Sequence, residues 1–131
     1  MFELLNIGID EINLKYMLES NPNIKELIEE EIIEKIELLR HIGCNDNYIK
    51  NIIISNPWYL DRCSSDVIEF IKKLIYLGIT RIDLLINDNP YLLNVDVFEL
   101  EEFIDKLTKE NYSLEEIIDM FEENSNIIFE L

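Results

Sequence analysis

The chain has 131 residues, 48% of them hydrophobic and 30% charged, so it carries enough apolar residue for a folded core and too much for a disordered chain. Its net charge of −17 sets up a field that repels nucleic acid and anionic membranes. Two cysteines are too few for a disulfide framework. No apolar run approaches the ~18–20 residues of a membrane span. No basic leader with a cleavage site is visible, so the expected compartment is the cytoplasm.

The chain opens on the tail of an amphipathic helix that stops at Gly8, and the same design returns at Gly43 and Gly78. These three glycines are 35 residues apart, and Pro22, Pro57 and Pro90 follow at steps of 35 and 33. A fixed period in this range marks a repeat array. A fourth copy places Asn111 in the glycine slot and Ser125 in the proline slot. The copies run approximately 1–24, 25–60, 61–93 and 94–131, within one domain.

Each slot has a physical reason. The glycine, or Asn111, is expected just past the end of a long helix, where a left-handed backbone is wanted. Two residues on, Asp10, Asn45, Thr80 and Ser113 are all of the class that caps a helix N-terminus. Ser113 with Glu116 fits a capping box, and Thr80 with Asp83 fits one imperfectly. A short helix follows, with apolar slots Leu14/Ile49/Ile82/Ile117, Met17/Ile52/Leu85/Met120 and Leu18/Ile53/Ile86/Phe121. It is expected to stop at Asn21, Asn56, Asn89 and Asn124, because proline disfavours helix in the residue before it and suits the first turn of a new segment. Long helices are expected over 26–42, 65–77 and 97–110, with core slots Ile32/Val67/Leu100, Ile36/Ile71/Ile104 and Leu39/Leu74/Leu107. Cys44 shares a core slot with Ile9 and Ile79 and reads as a reduced core residue. The fold class is all-α: a short superhelical solenoid of three to four helix-triplet repeats.

The stretches Leu39–Gly43 with Pro57–Leu60, and Leu74–Gly78 with Pro90–Leu93, match a Leu–x–x–Leu–Gly, short helix, Pro–x–x–Leu pattern. Leu5-Asn6-Ile7-Gly8 with Pro22 matches in part, because Lys25 replaces the last leucine. In this the chain resembles the mitochondrial transcription termination factor (mTERF) repeat over nearly its whole length. The resemblance implies an all-α superhelix of helix triplets with a basic concave groove that holds nucleic acid. Tetratricopeptide repeats have a similar period, but their small-residue positions need alanine and this chain has none.

The charge is unevenly placed. Residues 1–37 hold 10 acids and 3 bases, residues 38–95 hold 6 of each, and residues 96–131 hold 12 and 2. The middle of the array is therefore neutral and both ends are acidic. No slot is basic in every copy, whereas useful affinity for nucleic acid at physiological salt needs several phosphate contacts. Arg40, Arg62, Lys72, Lys73 and Arg81 are the candidate nucleic-acid residues, and the resemblance predicts that they converge on one surface.

Acidic slots do repeat. Glu31/Asp66/Glu99 and Glu34/Glu69/Glu102 lie on one face of each long helix and form a candidate docking surface for a basic protein partner. Acids in first turns also serve the helix dipole, which is their commoner role. Trp58 and Tyr91 share the slot after proline as candidate interface anchors. Packing against the next repeat is the ordinary fate of such aromatics. The single histidine, His41, sits near a helix end, where a cation suits the dipole. No spacing fits a metal site, an EF-hand, a P-loop or a catalytic constellation. The expected role is a non-enzymatic binding module without cofactor, acting on a protein partner, with nucleic-acid binding as the alternative that the resemblance implies.

Overall fold

The computed structural model describes all of residues 1–131. It is all-helical. The α-helices are α1 (Phe2–Asn6), α2 (Glu11–Ser20), α3 (Glu29–His41), α4 (Asp46–Ser55), α5 (Ser64–Tyr76), α6 (Ile82–Asp88), α7 (Val97–Lys109), α8 (Leu114–Glu123) and α9 (Ile127–Glu130). Three 3-10 helices follow the prolines: η1 (Pro22–Glu26), η2 (Pro57–Asp61) and η3 (Pro90–Asn94). The repeating unit is thus long helix, short helix, 3-10 turn. In the fourth copy the last segment is the single α-turn α9.

Every long helix stops in the same way. Gly8, Gly43 and Gly78 have φ of +101°, +103° and +94°, and Asn111 has +72°. The N–H two residues past the last helical turn reaches back to a carbonyl five residues earlier: Ile9 to Leu4 (3.1 Å), Cys44 to Leu39 (3.1 Å), Ile79 to Leu74 (3.2 Å) and Tyr112 to Leu107 (3.2 Å). This Schellman closure needs the left-handed residue, which glycine adopts without strain and asparagine nearly so. The side chains of Leu4, Ile9, Leu39, Cys44, Leu74 and Ile79 are buried there. Each stop therefore also adds to the core.

The short helices start as expected in three copies. Asp10, Asn45 and Ser113 accept from the N–H groups of Asn13, Tyr48 and Glu116 at 2.8, 2.8 and 3.1 Å. The third copy departs. Its glycine-to-proline step is 12 residues instead of 14, and the missing residues come out of the first turn, leaving α6 with 7 residues against 10 in α2, α4 and α8. Thr80 consequently lies outside the helix, and Arg81 occupies the N-cap without a side-chain bond to the helix start. Asp83, the expected box partner, pairs with Arg81 instead, at 3.1 Å. The long helices show a capping box that the spacing had not suggested, Asp96 with Glu99 on α7. The second long helix begins at Glu29, later than expected, because Glu26 is taken by η1.

Thirty buried hydrophobic residues form one continuous core from Leu4 to Phe121. The expected core slots fill it, Ile104, Leu14, Leu18 and Met120 being only half-buried. No helix is long and apolar enough to cross a membrane.

The asparagines before the prolines do more than end a helix. Each cap residue sends its amide across to the following copy. Asn21 donates to the Pro57 carbonyl (3.2 Å) and Asp61 (3.1 Å), and Asn56 donates to the Pro90 carbonyl (3.0 Å) and Asn94 (3.1 Å). Asn89 donates to Ser125 and Asn126, both at 3.0 Å. Asn94 returns a bond to Asn56 at 3.2 Å. These three cap asparagines are buried. A buried amide bonded this way fixes the register of one repeat on the next, since sliding would strand every partner. Asn124 ends the ladder exposed.

Candidate functional site

Three of the five candidate bases, Arg40, Arg81 and Lys73, have partners within the protein. Arg40 is held by Glu37 (2.6 Å) and Asp46 (3.4 Å), and Arg81 by Asp83. These carboxylates raise the pKa of both guanidinium groups, with the side-chain hydrogen bond as the main cause. Lys73 lies over the ring of Tyr76, 5.3 Å from its centroid. Arg62 takes the slot of Leu27 and Val95 between copies, with Nε and Nη2 buried and unbonded within the protein. Lys72 alone among the five is exposed with no ion pair or ring partner.

The six acids of the repeated slots, Glu31, Glu34, Asp66, Glu69, Glu99 and Glu102, are all exposed, and none is in an ion pair. Glu31 and Glu99 also accept from the N–H groups of Ile28 and Asp96, at 3.3 and 3.4 Å. These two therefore carry the helix-start role as well as standing at the surface. The other four have solvated carboxylates.

Trp58 and Tyr91 are not packed away. Their exposures are 41% and 49%. The next copy approaches Tyr59, Leu60, Leu92 and Leu93, which are buried, and leaves the residue after proline outside. Tyr91 lines a shallow apolar concavity with Asn94, Asn126 and Phe129.

Two openings interrupt the stacking of helices. Between α6 and α8 is a polar cleft of about 270 Å³, lined by Arg81, Asp88, Asn89, Glu122, Glu123 and Asn124 among others, where the shortened α6 fails to reach its neighbour. Between α3 and α5 is an apolar groove of about 330 Å³, lined by Leu38, His41, Ile42, Ile68, Ile71, Lys72 and Ile75. The sequence patterns had not singled out this groove. The signal was present: among α3, α5 and α7, the slots shared by Leu38, Lys73 and Lys106, and by Arg40, Ile75 and Thr108, are apolar only on this seam.

Two buried groups stand out chemically. Lys35 is buried (5% exposed) in the slot that Phe70 and Phe103 fill in later copies, and its ammonium donates to the Leu60 carbonyl at 3.4 Å. Burial pulls its pKa below the usual lysine value, against the opposing pull of Glu34, Glu31 and Asp61. Cys44 is pushed up to about 12 by burial. Cys63 is exposed at the start of α5, where a hydrogen bond with Ser65 (3.1 Å) and nearby backbone N–H groups lower its pKa. No group of three or more His, Cys, Asp or Glu gathers in a metal-holding arrangement.

No curated protein matches the chain. The mTERF family model matches residues 2–130, almost the full length and all four copies described above. With its repeated glycine stop, short helix and proline turn, the chain belongs to the mTERF family of helical-repeat proteins.

Proposed function

We propose that this chain is a non-enzymatic, cytoplasmic scaffold that binds a protein partner through its helical-repeat surface. One observation carries the reading: Arg40 and Arg81 are paired with carboxylates and Lys73 lies over Tyr76, while the six repeated-slot acids stand exposed and unpaired. Such a surface suits a basic partner and repels a polyphosphate. Trp58 and Tyr91, half-exposed at one edge, supply aromatic anchors of the kind that dominate interfaces. The test is binding of a labelled lysine-rich peptide to the wild-type chain and to a Glu34→Gln/Glu69→Gln/Glu102→Gln variant. A control variant removes three other exposed acids, Glu11, Glu19 and Glu123. Weaker binding in the first variant only supports docking at the repeated slots. An equal loss in both reduces the effect to net charge and overturns the reading.

Family membership favours a second reading, nucleic-acid binding in a transcription-related role. Fluorescence anisotropy with labelled duplex DNA, single-stranded DNA and RNA separates the two. Binding at low salt that weakens steeply as salt is added would mean that several phosphates are contacted. No binding at low salt would leave the protein-scaffold reading.

A further inference from the structure

The cleft between α6 and α8 follows from one local change. The short helices α2 and α4 pack together, as do α4 and α6, but α6 starts late and stands off from α8. The glycine turns record the same gap. Lys50 of α4 lies over the Gly8 turn and Asp83 of α6 over the Gly43 turn, whereas nothing comes within 4 Å of the point where a Cβ on Gly78 would sit. The space left is about 270 Å³. That is below the ~300–1,000 Å³ of a drug-sized ligand site, so it suits one side chain or a molecule of that size.

The lining has an acceptor to spare. Its most buried polar residue is Asn89, 7% exposed. The Asn89 amide nitrogen donates to Ser125 and Asn126, but its Oδ1 accepts nothing. In the two earlier copies the same oxygen is used: that of Asn21 accepts from the Asn23 N–H, and that of Asn56 from Asn94. The only sealed side-chain polar atoms without a partner belong to Arg62, so the Asn89 oxygen opens on the cleft that Asn89 lines. An amide oxygen this buried is costly to leave without a donor.

The charge around that oxygen is negative. Asp88 of α6 and Glu122 and Glu123 of α8 line the cleft, and none is in an ion pair. Arg81, the one base there, gives two nitrogens to Asp83. The carboxylates do not gather in a metal-holding arrangement, which favours a spread cation over a point charge. A planar guanidinium presents five N–H donors in a fixed fork, enough for an amide oxygen and a carboxylate together. We propose that the α6–α8 cleft is a binding site for a guanidinium group, carried by a peptide arginine or by a small free guanidine. Asn89 Oδ1 and the carboxylates of Asp88 and Glu122 are its acceptors. The site lies on the short helices, apart from the repeated acids of α3, α5 and α7.

The experiment is a nitrogen–proton correlation NMR titration of the whole chain at fixed ionic strength. The probes are N-acetyl-arginine amide, N-acetyl-lysine amide and methylguanidine, each with one positive charge. Saturable shifts are expected for the arginine amide at the Asn89 side-chain amide and at the backbone amides of Asn124, Ser125 and Asn126. The lysine amide should bind about tenfold more weakly, the scale of one lost charge-assisted hydrogen bond. Asp88→Asn/Glu122→Gln should abolish the shifts. Glu11→Gln/Glu19→Gln removes the same charge from α2 and should leave them unchanged. All four side chains are exposed, so neither variant disturbs the core. Methylguanidine binding as well as the arginine amide upholds the site for a free guanidine, and binding by the arginine amide alone upholds it for a peptide arginine. No saturable shift at millimolar ligand overturns the proposal. So does equal affinity for the lysine amide, or an equal loss in both variants, which would reduce the effect to net charge. The lysine-rich peptide that tests the repeated slots carries no guanidinium, so this inference and the proposed function fail separately.

Discussion

Two seams in this molecule are built from the same slots of the same repeat and behave differently. Between α5 and α7 the facing surface positions are Lys73, Glu101, Asp105 and Thr108, and the helices close over a core that continues through Phe103 into Phe121, whose ring lies 5.8 Å away. Between α3 and α5 the equivalent positions are Leu38, Ile68, Lys72 and Ile75, and the helices stay apart. The core slots are apolar in both, except that Lys35 of α3 stands where α5 and α7 carry Phe70 and Phe103. What distinguishes the seams is the layer just outside the core. On the closed seam it is polar and already solvated. On the open seam it is apolar and remains to be covered. A repeat array can therefore keep its inner slots for folding and spend its outer slots on recognition, one seam at a time.

The largest test of this contrast is a pair of truncations. Phe103→Ala should cost about 3–5 kcal/mol, the usual loss for a buried aromatic in a core that cannot collapse around the gap. Ile75→Ala, on the open seam, should stay within about 0.5 kcal/mol, as surface changes do. Urea melts followed by circular dichroism give both values. A cost for Ile75→Ala near that of Phe103→Ala would mean that the open seam is part of the fold, and the contrast would break. Between these extremes lies the asparagine ladder that crosses both seams at their edge. Asn56→Ala removes two donors from buried acceptors and should cost about 2–3 kcal/mol. Asn124→Ala, at the ladder's exposed end, should cost far less.

The legible part of this structure is the part written locally. A glycine at a helix stop needs only its own positive φ and the two bonds that close around it, so the 35-residue step located every long-helix end, and Asn111 was readable by the same rule. The apolar slots were readable because a helix face depends only on spacing. The cross-copy amides were not: Asn56 looks like a helix terminator from its neighbours, and its bonds to Pro90 and Asn94 exist only once the next copy has docked. Thr80 misled because a two-residue deletion in α6 shifts the helix start without disturbing the glycine before it or the proline after it. Trp58 and Tyr91 showed the same gap, since whether the next copy covers a side chain is not encoded at that residue. The α3–α5 groove needed a comparison of slots across copies in the layer outside the core, where single apolar residues are common and rarely informative.

Lys35, held against the Leu60 carbonyl of η2, offers the smallest and most specific test of how the second copy differs from the later ones. It lies on α3, in the slot where α5 and α7 carry the buried Phe70 and Phe103. Its ammonium is desolvated, so its folded pKa lies below the unfolded 10.5. Below the folded pKa both states hold the proton, and the burial penalty is present in full. Between the folded and unfolded values the unfolded chain holds the extra proton, so this group adds stability as pH rises. Cys44 and Tyr59 act in the opposite sense. Burial raises both, so above about pH 9 the unfolded chain loses protons that the folded one keeps, and stability falls. Lys35→Met keeps the stem's packing and removes the charge. It should stabilise the protein by about 1 kcal/mol at neutral pH, in the range found when a buried charge gives way to an apolar side chain. It should also steepen the alkaline loss, because a group that offset Cys44 and Tyr59 is gone. Melts of both chains from pH 7 to 11 would show the two curves converging as pH rises. Parallel curves would mean that Lys35 is already hydrated in the fold.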